Sequence, residues 1–400
     1  MYHASPTDAR GPSLSTPAGT ALGGIIWPPY PSRADMKLGI GLPTSHQGVY
    51  LPSPFAGPED LSAIVRMAEG FGIHSAWSLD FMNPVYERHR PPHPAPEWYE
   101  AMTGLAFLAG VTSRIRLGTA CIQLPLRDPF LLARQAATLD ALSGGRCLLG
   151  VGLGQAREEF VGLRPRDRAM RRGALMEESL EALWRFFREG SVTMQGRYYQ
   201  CQDLSLTPRP VQNPLPLYLA GRTEDTPRRV ARWGLGWLLS RMQAQSIPAR
   251  IASLQPHVAA AGRRREDIDI VVTKGLSLGR TQEDARARFD RSLLPARMDE
   301  VGAESGIAGQ PSASEDEVYA QNLIGTPDDV AEQLDRLRGQ GADHCVIFYF
   351  AVHGARDLLD QLQWFGEEVL PQLEPGLPPR HPEDSLEWTA RLPGARSIRP

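Results

Sequence analysis

The sequence has few of the features that define several common protein classes. It contains four cysteines in 400 residues, and they lie far apart at Cys121, Cys147, Cys201 and Cys345. No two of them form a C-x-x-C pair, so they predict neither a disulfide framework nor a zinc site. We expect reduced thiols, three of them in apolar strand-like runs, in a cytoplasmic protein.

A charge imbalance and a long apolar run are also missing. The formal net charge is −3, with no block of lysine and arginine, so the composition predicts no affinity for nucleic acid or for an anionic membrane. The best apolar stretch of residues 1–35, Ala21–Trp27, is too short to span a bilayer or to form a signal-peptide core. The nine histidines show no metal-ligand spacing, and no metal site is expected.

The remaining composition is that of a globular domain between two tails. With 42% hydrophobic and 22% charged residues, the chain can bury a large core. Residues 1–35 are rich in Pro, Ala, Ser, Thr and Gly, and residues 374–400 contain several prolines. Both segments are predicted to be disordered. Residues 36–373 are predicted to form one domain.

Within that domain, short apolar runs alternate with segments of helical periodicity. The runs predict eight strands, at Leu38–Leu42, Ser75–Leu79, Ile115–Leu124, Leu148–Val151, Leu217–Ala220, Trp237–Leu239, Ile268–Thr273 and Cys345–Phe350. This is the strand count of an α/β fold of the (β/α)8 TIM-barrel type, although a doubly wound open sheet can also use eight parallel strands. We predict a single TIM barrel.

Insertions are expected after strands 2, 4 and 7. The one after strand 4, Ser191–Leu206, alternates like a hairpin. The other two, Met82–Pro96 and Ala296–Gln321, are expected to shape a substrate pocket, because loops at the C-terminal face of a barrel vary with its chemistry. Helices are predicted to begin at Pro96, at Asp128 and at Thr326.

Several stretches carry a resemblance to a known family. The most specific are Arg114–Pro129, Gln135–Asp140, Leu142–Arg146 and Leu149–Gly154. Weaker matches follow in the expected order at Arg157–Phe160, Arg172 with Glu177 and Glu178, Pro208–Gln212, Ala220–Gly221 and Gly325–Pro327. The chain resembles the bacterial luciferase-like flavin-dependent oxidoreductases, and within them the subgroup usually associated with the deazaflavin coenzyme F420. The resemblance covers residues 36–373.

The resemblance implies a cofactor site at the C-terminal ends of the barrel strands. In this family the third strand ends in a non-prolyl cis peptide bond under the flavin ring, and the matching bond is Ala120–Cys121, next to Thr119. After the fourth strand, Gly152 and Gly154 are expected near the ring. Gln155 replaces the third glycine of a Rossmann fingerprint, so these glycines indicate close backbone approach to a ligand or a neighbour rather than dinucleotide binding.

The cofactor's phosphate is expected after the fifth strand. Thr226 and Pro227 have the chemistry of a helix N-cap and a first helical residue, and a helix start favours an anion. The nearby acidic Glu224 and Asp225 oppose this interpretation. The candidate phosphate ligands are Gly221, Arg222, Thr223, Thr226 and, from the family match, Arg172.

The catalytic residues stay open. Asp80 ends the second strand at the reactive face of the barrel. Relatives often follow this acid with a proton-transferring histidine, but this chain has Phe81, which cannot carry a proton. His46, after the first strand, and His353, after the last, are the other candidates.

The resemblance implies an oxidoreductase in which the cofactor performs the redox step. With reduced FMN and oxygen the chain would be a monooxygenase, and with F420 it would be a hydride-transferring dehydrogenase or reductase. A non-catalytic flavin-binding protein is the alternative from another class. The expected partners are a small-molecule substrate, a second copy in a homodimer, and a flavin reductase or an enzyme that reduces the deazaflavin.

Overall fold

The computed structural model of the chain describes residues 36–373, apart from 46–49, 53–54, 83–97, 155–156, 168, 241–245 and 296–313. The predictions of disorder for residues 1–35 and 374–400 lie outside the described residues. So do His46, Pro96, and most of the insertions after strands 2 and 7.

The described residues form a parallel barrel with short accessory strands. The strands are β1 (Lys37–Gly41), β2 (Ser75–Ser78), β3 (Arg116–Thr119), β4 (Ile122–Gln123), β5 (Cys147–Gly152), β6 (Val192–Gln195), β7 (Gln200–Leu204), β8 (Leu217–Ala220), β9 (Gly236–Leu239), β10 (Asp269–Leu278), β11 (Leu323–Gly325) and β12 (His344–Phe350). Neighbours in the barrel follow the order β1, β2, β3, β5, β8, β9, β10, β12, and β12 pairs with β1.

Helices cover the outside of the barrel. They are α1 (Pro58–Gly70), α2 (Ala101–Ala109), α3 (Pro129–Ser143), α4 (Arg157–Leu163), α5 (Arg172–Arg188), α6 (Asp225–Trp233), α7 (Ile247–Ala260), α8 (Gln282–Arg291), α9 (Glu315–Ala320), α10 (Pro327–Gly339), α11 (Ala355–Trp364) and α12 (Leu370–Leu373). A π-helical segment, Phe365–Val369, joins the last two.

The barrel interior is filled with side chains. Trp77, Leu148, Tyr218, Val271 and Val346 form one buried cluster, and the rings of Trp77 and Tyr218 meet edge to face with centroids 5.4 Å apart. A strand in such a barrel is covered on both faces, which explains the nearly continuous apolar runs of the sequence. Because the centre is packed, a ligand has room only at an end of the barrel.

The TIM-barrel prediction is confirmed, since the pairings of β1 with β12 and of β9 with β10 close the sheet and exclude an open one. The hairpin after the fourth barrel strand is confirmed as β6 and β7. The third predicted strand, Ile115–Leu124, is wrong as a single strand. The structure has two shorter strands there, β3 and β4, with a break in the hydrogen-bond ladder between them. The seventh predicted strand, Ile268–Thr273, ends too early, because β10 continues to Leu278. The polar Lys274 interrupts the apolar pattern from which the end was predicted.

The helix starts predicted at Asp128 and Thr326 are confirmed, whereas the one predicted at Pro96 is wrong, because α2 begins at Ala101 and residues 98–100 are not helical. Asp128 accepts the backbone N–H of Leu131 at 2.9 Å, and Thr326 accepts that of Asp329 at 3.3 Å. Such caps are local contacts within four residues, so their signal survives in the sequence alone.

Several residues of the family resemblance hold the N-terminal end of the barrel together. The buried Arg146 donates to the carbonyl oxygens of Ala109 and Ile115, both at 3.0 Å. The Asp140 carboxylate accepts the backbone N–H of Gln212 at 2.9 Å and its side-chain amide at 2.6 Å. This part of the resemblance therefore reflects the scaffold rather than the chemistry.

All four cysteines are free thiols. Within the described ranges, no helix is long and apolar enough to cross a membrane. The same residues contain no group of three or more side chains suited to hold a metal ion.

Candidate active site

The mouth of the barrel is shaped by an interruption of the third barrel strand. The peptide bond Ala120–Cys121 is cis, which confirms the prediction made from the family resemblance. The hydroxyl of Thr119 donates to the Gly150 carbonyl at 2.7 Å and accepts the Gly150 N–H at 2.9 Å. Thr119 thus uses its side chain to tie β3 to β5, while the backbone after it turns toward the mouth.

Glycines of the fourth barrel strand make room for this turn. A Cβ atom on Gly152 would lie 2.6 Å from the Cys121 sulfur, so glycine is needed where the thiol crosses β5. Gly154 has a φ of +82°, a left-handed conformation that favours glycine. Burial, reinforced by the charge of Asp80, raises the pKa of the Cys121 thiol to about 12. The thiol is therefore neutral and does not act as a nucleophile.

Asp80 lies at the mouth in a buried ion pair. Its carboxylate accepts a hydrogen bond from the guanidinium of Arg127, which also lies 3.5 Å from a carboxylate oxygen of Glu100. Burial raises the pKa of Asp80, and Arg127 acts in the opposite direction. The structure thus resolves one point that the sequence left open: Asp80 is salt-bridged.

Aromatic side chains line the same end of the barrel. The ring of Phe81 meets that of Trp98 edge to face, with centroids 4.9 Å apart. Tyr349, at the end of β12, stacks on Tyr50 with a centroid distance of 4.6 Å. Tyr349 also packs against the cluster inside the barrel. These four side chains form the aromatic part of the described wall of the mouth, which we call the aromatic wall.

A buried amide and a buried carboxylate at the mouth were missed by the sequence analysis. The side-chain amide of Gln123 donates to Glu159 on α4 at 2.7 Å. The other Glu159 oxygen accepts the backbone N–H of Met82 at 2.9 Å. Glu159 lay inside a family match, but nothing in the sequence placed it beside Gln123, 36 positions earlier.

The two histidine candidates gain no support as catalytic groups. His46 lies outside the described residues. His353 is exposed, and its backbone N–H donates to the Asp357 carboxylate at 3.1 Å. A buried hydroxyl pair, Thr44 and Ser78 at 2.7 Å, lies where β1 and β2 end and was not predicted.

The predicted phosphate ligands lie around the starts of α5 and α6. Arg172, the first residue of α5, donates to the Gly154 carbonyl at 3.2 Å. Arg229 of α6 is buried, donates to Glu177 of α5 at 2.8 Å, and lies 3.3 Å from the place where a Cβ of Gly173 would be. The two helix starts are therefore neighbours, as the family match implied for Arg172.

One detail of this prediction is wrong: Thr226 is not the N-cap of α6. The helix begins at Asp225, with Glu224 before it and no side-chain cap. The Thr226 hydroxyl instead lies 3.1 Å from that of Thr223 and packs against Gly221, where a Cβ would come within 2.6 Å. Arg222 and Thr223 are exposed.

The groups at this place suit a phosphate. Neither α5 nor α6 has a side-chain cap at its start, and the helix dipoles favour an anion there. The N–H groups of Ala174 and Thr226 already donate to backbone carbonyls, so the earlier N–H groups of each helix would serve the anion. Arg172 and the Thr223 hydroxyl add donors. The acidic Asp225, which opposed this interpretation, is paired with Arg229 at 3.2 Å.

A closed parallel barrel whose C-terminal mouth combines a broken strand, aromatic side chains and two neighbouring helix starts is typical of the TIM-barrel enzymes. Residues 36–344 match the family model described as luciferase-like monooxygenase. The chain belongs to this family and is a luciferase-like oxidoreductase.

Similar proteins include members that depend on each of two cofactors. The chain is 30% identical over 329 residues to an F420-dependent glucose-6-phosphate dehydrogenase of Intrasporangium calvum, covering 79% of this chain and 95% of the relative. It is 26% identical over 300 residues to an FMNH2-dependent dimethylsulfone monooxygenase of Pseudomonas putida, covering 69% and 79%. A solved coenzyme F420-dependent tetrahydromethanopterin reductase of Methanopyrus kandleri shares the fold, with a TM-score of 0.65, 21% identity and coverage of 85% and 99%.

Proposed function

We propose that this chain binds a flavin-type cofactor at the mouth of the barrel and uses it to oxidise or reduce a small organic molecule by hydride transfer. The observation that carries the proposal is the break of the third barrel strand between β3 and β4, beside Gly152, where a Cβ would lie 2.6 Å from the Cys121 sulfur. The ring would lie over this break, and the phosphate would lie at the starts of α5 and α6.

F420 is the proposed cofactor. The relative that uses it aligns over 95% of its own length, whereas the FMNH2-dependent relative aligns over 79%. FMN-dependent monooxygenation is the second candidate, because both cofactor types occur among relatives of comparable identity.

When bound, the cofactor would supply or accept the hydride, and the residues of the barrel would position it. The aromatic pair Phe81 and Trp98 would exclude water from the ring. Asp80 lies close enough to the break between β3 and β4 for its charge to raise the pKa of the Cys121 thiol. Its raised pKa makes it the candidate for accepting a proton, once Arg127 is displaced or reoriented.

We also propose partners and a location for the protein. The aromatic wall suits a small organic substrate with an apolar portion. We propose a homodimer, because Phe107 on α2 and Leu131 and Leu142 on α3 are exposed apolar side chains on neighbouring helices. A reductase would supply reduced cofactor, and the four free thiols fit a cytoplasmic location.

The test begins with the spectrum and mass of any cofactor that copurifies with the full-length protein. Dissociation constants of FMN and F420 are then compared, and each reduced or oxidised form is tested for turnover. We expect F420 to bind more tightly and to exchange hydride without consuming oxygen. Oxygen-dependent turnover with FMNH2 would favour the second candidate. Tight binding with no turnover of either cofactor would identify a flavin-binding protein instead of an enzyme.

A further inference from the structure

Two glutamine–carboxylate pairs lie at opposite ends of the barrel, and they differ in one respect. At the N-terminal end, the Gln212 amide nitrogen donates to Asp140 at 2.6 Å, and its oxygen accepts from Arg116 at 3.0 Å. At the mouth, the Gln123 nitrogen donates to Glu159 at 2.7 Å. The Gln123 oxygen Oε1 is buried and accepts no hydrogen bond from the described residues.

The orientation of the Gln123 amide is set by its partner. A carboxylate only accepts hydrogen bonds, so the NH2 group of Gln123 must face Glu159 and the carbonyl oxygen must face away. Glu159 is itself 1% exposed and is held on its other side by the N–H of Met82. A buried acceptor that is held in place and left without a donor is unfavourable, and it is rare in folded proteins.

This acceptor lies where the proposed function places the cofactor ring. Gln123 is two residues after Cys121 and pairs with Gly152 in β5. Its side-chain carbon Cδ is 3.5 Å from the place where a Cβ of Gly154 would be. The amide is therefore between the cis peptide bond and the glycine-rich strand end.

We propose that Gln123 is a cofactor-positioning residue whose Oε1 accepts a hydrogen bond from the ring N3–H of the bound flavin or deazaflavin, with Glu159 holding the amide in place. This inference rests on the proposed function. In their oxidised forms, FMN and F420 share a pyrimidine ring whose one N–H, at N3, lies between two carbonyl groups. A single acceptor matches that edge, so Gln123 would turn the pyrimidine edge toward β4.

The test combines variants of the full-length protein with altered cofactors. Dissociation constants are measured for FMN, F420 and their N3-methyl derivatives, which lack the N–H. For the wild type we expect N3-methylation to weaken binding about tenfold, the size of one lost hydrogen bond at a buried site. We call the dissociation constant of the N3-methyl derivative divided by that of its parent cofactor the N3-methyl ratio. In Gln123→Leu this ratio is expected to fall to about one. Gln123→Met serves as the replacement variant where Gln123→Leu does not fold.

The matched control is Gln212→Leu, which breaks the equivalent pair at the far end of the barrel. It is expected to lower stability and to leave the N3-methyl ratio unchanged. A wild-type ratio near one, or the same ratio in the wild type and both Gln123 variants, would overturn the inference while the proposed function stands. Failure of the wild type to bind either parent cofactor would overturn the proposed function, and the inference with it.

Discussion

Asp80 and Arg127 form an ion pair in which the carboxylate is 2% exposed and the guanidinium side chain 16%. Asp80 lies two residues after the end of β2, and Arg127 directly precedes Asp128, the N-cap of α3. The backbone carbonyl of Arg127 also accepts the hydroxyl of Tyr199, from the β6–β7 hairpin, at 3.2 Å. The pair therefore joins three parts of the mouth, and Asp80 depends on Arg127 for its charge balance.

Replacing Arg127 by methionine leaves the Asp80 carboxylate buried without its cation. We expect Arg127→Met to lower the free energy of unfolding by about 3 kcal/mol at neutral pH, as for other broken buried pairs. Denaturant titration measures this change. In the double variant Asp80→Asn/Arg127→Met the loss should be smaller, because the uncompensated charge is gone. An equal or larger loss in the double variant would contradict the explanation.

The same variant has a predicted pH dependence. Burial raises the pKa of Asp80 in the folded state, and Arg127 opposes this. Without Arg127 the folded pKa rises further above the unfolded value, so the folded protein takes up a proton first as the pH falls. The stability deficit of Arg127→Met should therefore shrink on acidification toward the unfolded pKa of about 3.9. A deficit that stays constant with pH would argue against Asp80 as its source.

Phe81→His tests whether the missing histidine changes the chemistry. Phe81 packs edge to face on Trp98 at 4.9 Å, so its present role is apolar. A histidine there is expected to change the turnover rate more than about twofold and to add a limb to the pH profile near its ordinary pKa of about 6.5. The control is Phe81→Leu, which removes the ring but adds no proton carrier. If Phe81→His and the wild type turn over at rates within about twofold and have the same pH profile, Phe81 serves only in packing.

A second buried polar network lies at the N-terminal end of the barrel. Trp77 donates to the Ser75 hydroxyl at 2.8 Å, and that hydroxyl is 2.9 Å from Nε2 of His344. A hydroxyl that accepts from Trp77 keeps its own proton to donate, so Ser75 can donate to Nε2 of His344 when the proton of the neutral ring is on Nδ1. That nitrogen faces Asp269 at 3.8 Å. Burial lowers the pKa of His344, so the ring is neutral in the folded protein.

This network predicts loss of stability in mild acid. The folded pKa of His344 lies below the unfolded value of about 6.5, so the unfolded chain binds the proton first. The contribution of neutral His344 to the free energy of unfolding is fully present above the unfolded pKa. It is lost as the pH falls toward the folded pKa, by at most about 1.4 kcal/mol per pH unit. We expect His344→Gln to reduce this slope. A matched substitution of an exposed histidine, His353→Gln, should leave it unchanged. Identical slopes in all three proteins would contradict the prediction.

The barrel could be predicted from the sequence because its information is local and repeated. A parallel barrel strand is buried on both faces, which leaves an apolar run, and a capped helix start lies within a few residues of its cap. The short β11 was missed because three residues that pair only with β10 carry no periodicity. The misplaced cap at Thr226 shows the limit of local rules, since its hydroxyl is hydrogen-bonded to that of Thr223 and packs against Gly221 instead.

Most of the candidate site that could be predicted came from the family resemblance, apart from Asp80, which its place at a strand end indicated. The cis bond at Ala120–Cys121 came from the resemblance. The Gln123–Glu159 pair could not be predicted, because it depends on how α4 returns over the end of β4 after the glycine-rich segment. The Asp80–Arg127 pair likewise joins positions 47 residues apart, and no local pattern links them.

The homodimer can be tested on the exposed apolar stripe of α2 and α3. Phe107 is 46% exposed, Leu131 56% and Leu142 74%. The two leucines are about three helical turns apart and so lie on one side of α3. We expect light scattering of the wild type to give twice the monomer mass of 44.1 kDa, and Leu131→Glu/Leu142→Glu to give the monomer mass. The control Leu293→Glu, after α8, should stay dimeric. A monomeric wild type at micromolar concentration would refute the dimer.

The last prediction concerns the phosphate corner at α5 and α6. Arg172→Ala and the double variant Thr223→Ala/Thr226→Ala each remove donors from the two uncapped helix starts. If the phosphate binds there, each should weaken FMN about tenfold or more, since a charged hydrogen bond is about twice as strong as a neutral one. Riboflavin, which lacks the phosphate, should bind the variants as it binds the wild type. Arg232→Ala, at the far end of α6 where the side chain stacks on Trp233, is the control and should change neither ligand. Because the comparison of FMN with riboflavin is made within each variant, a general loss of structure would weaken both ligands together. Variants that stay folded and keep the wild-type preference for FMN would place the phosphate elsewhere at the mouth.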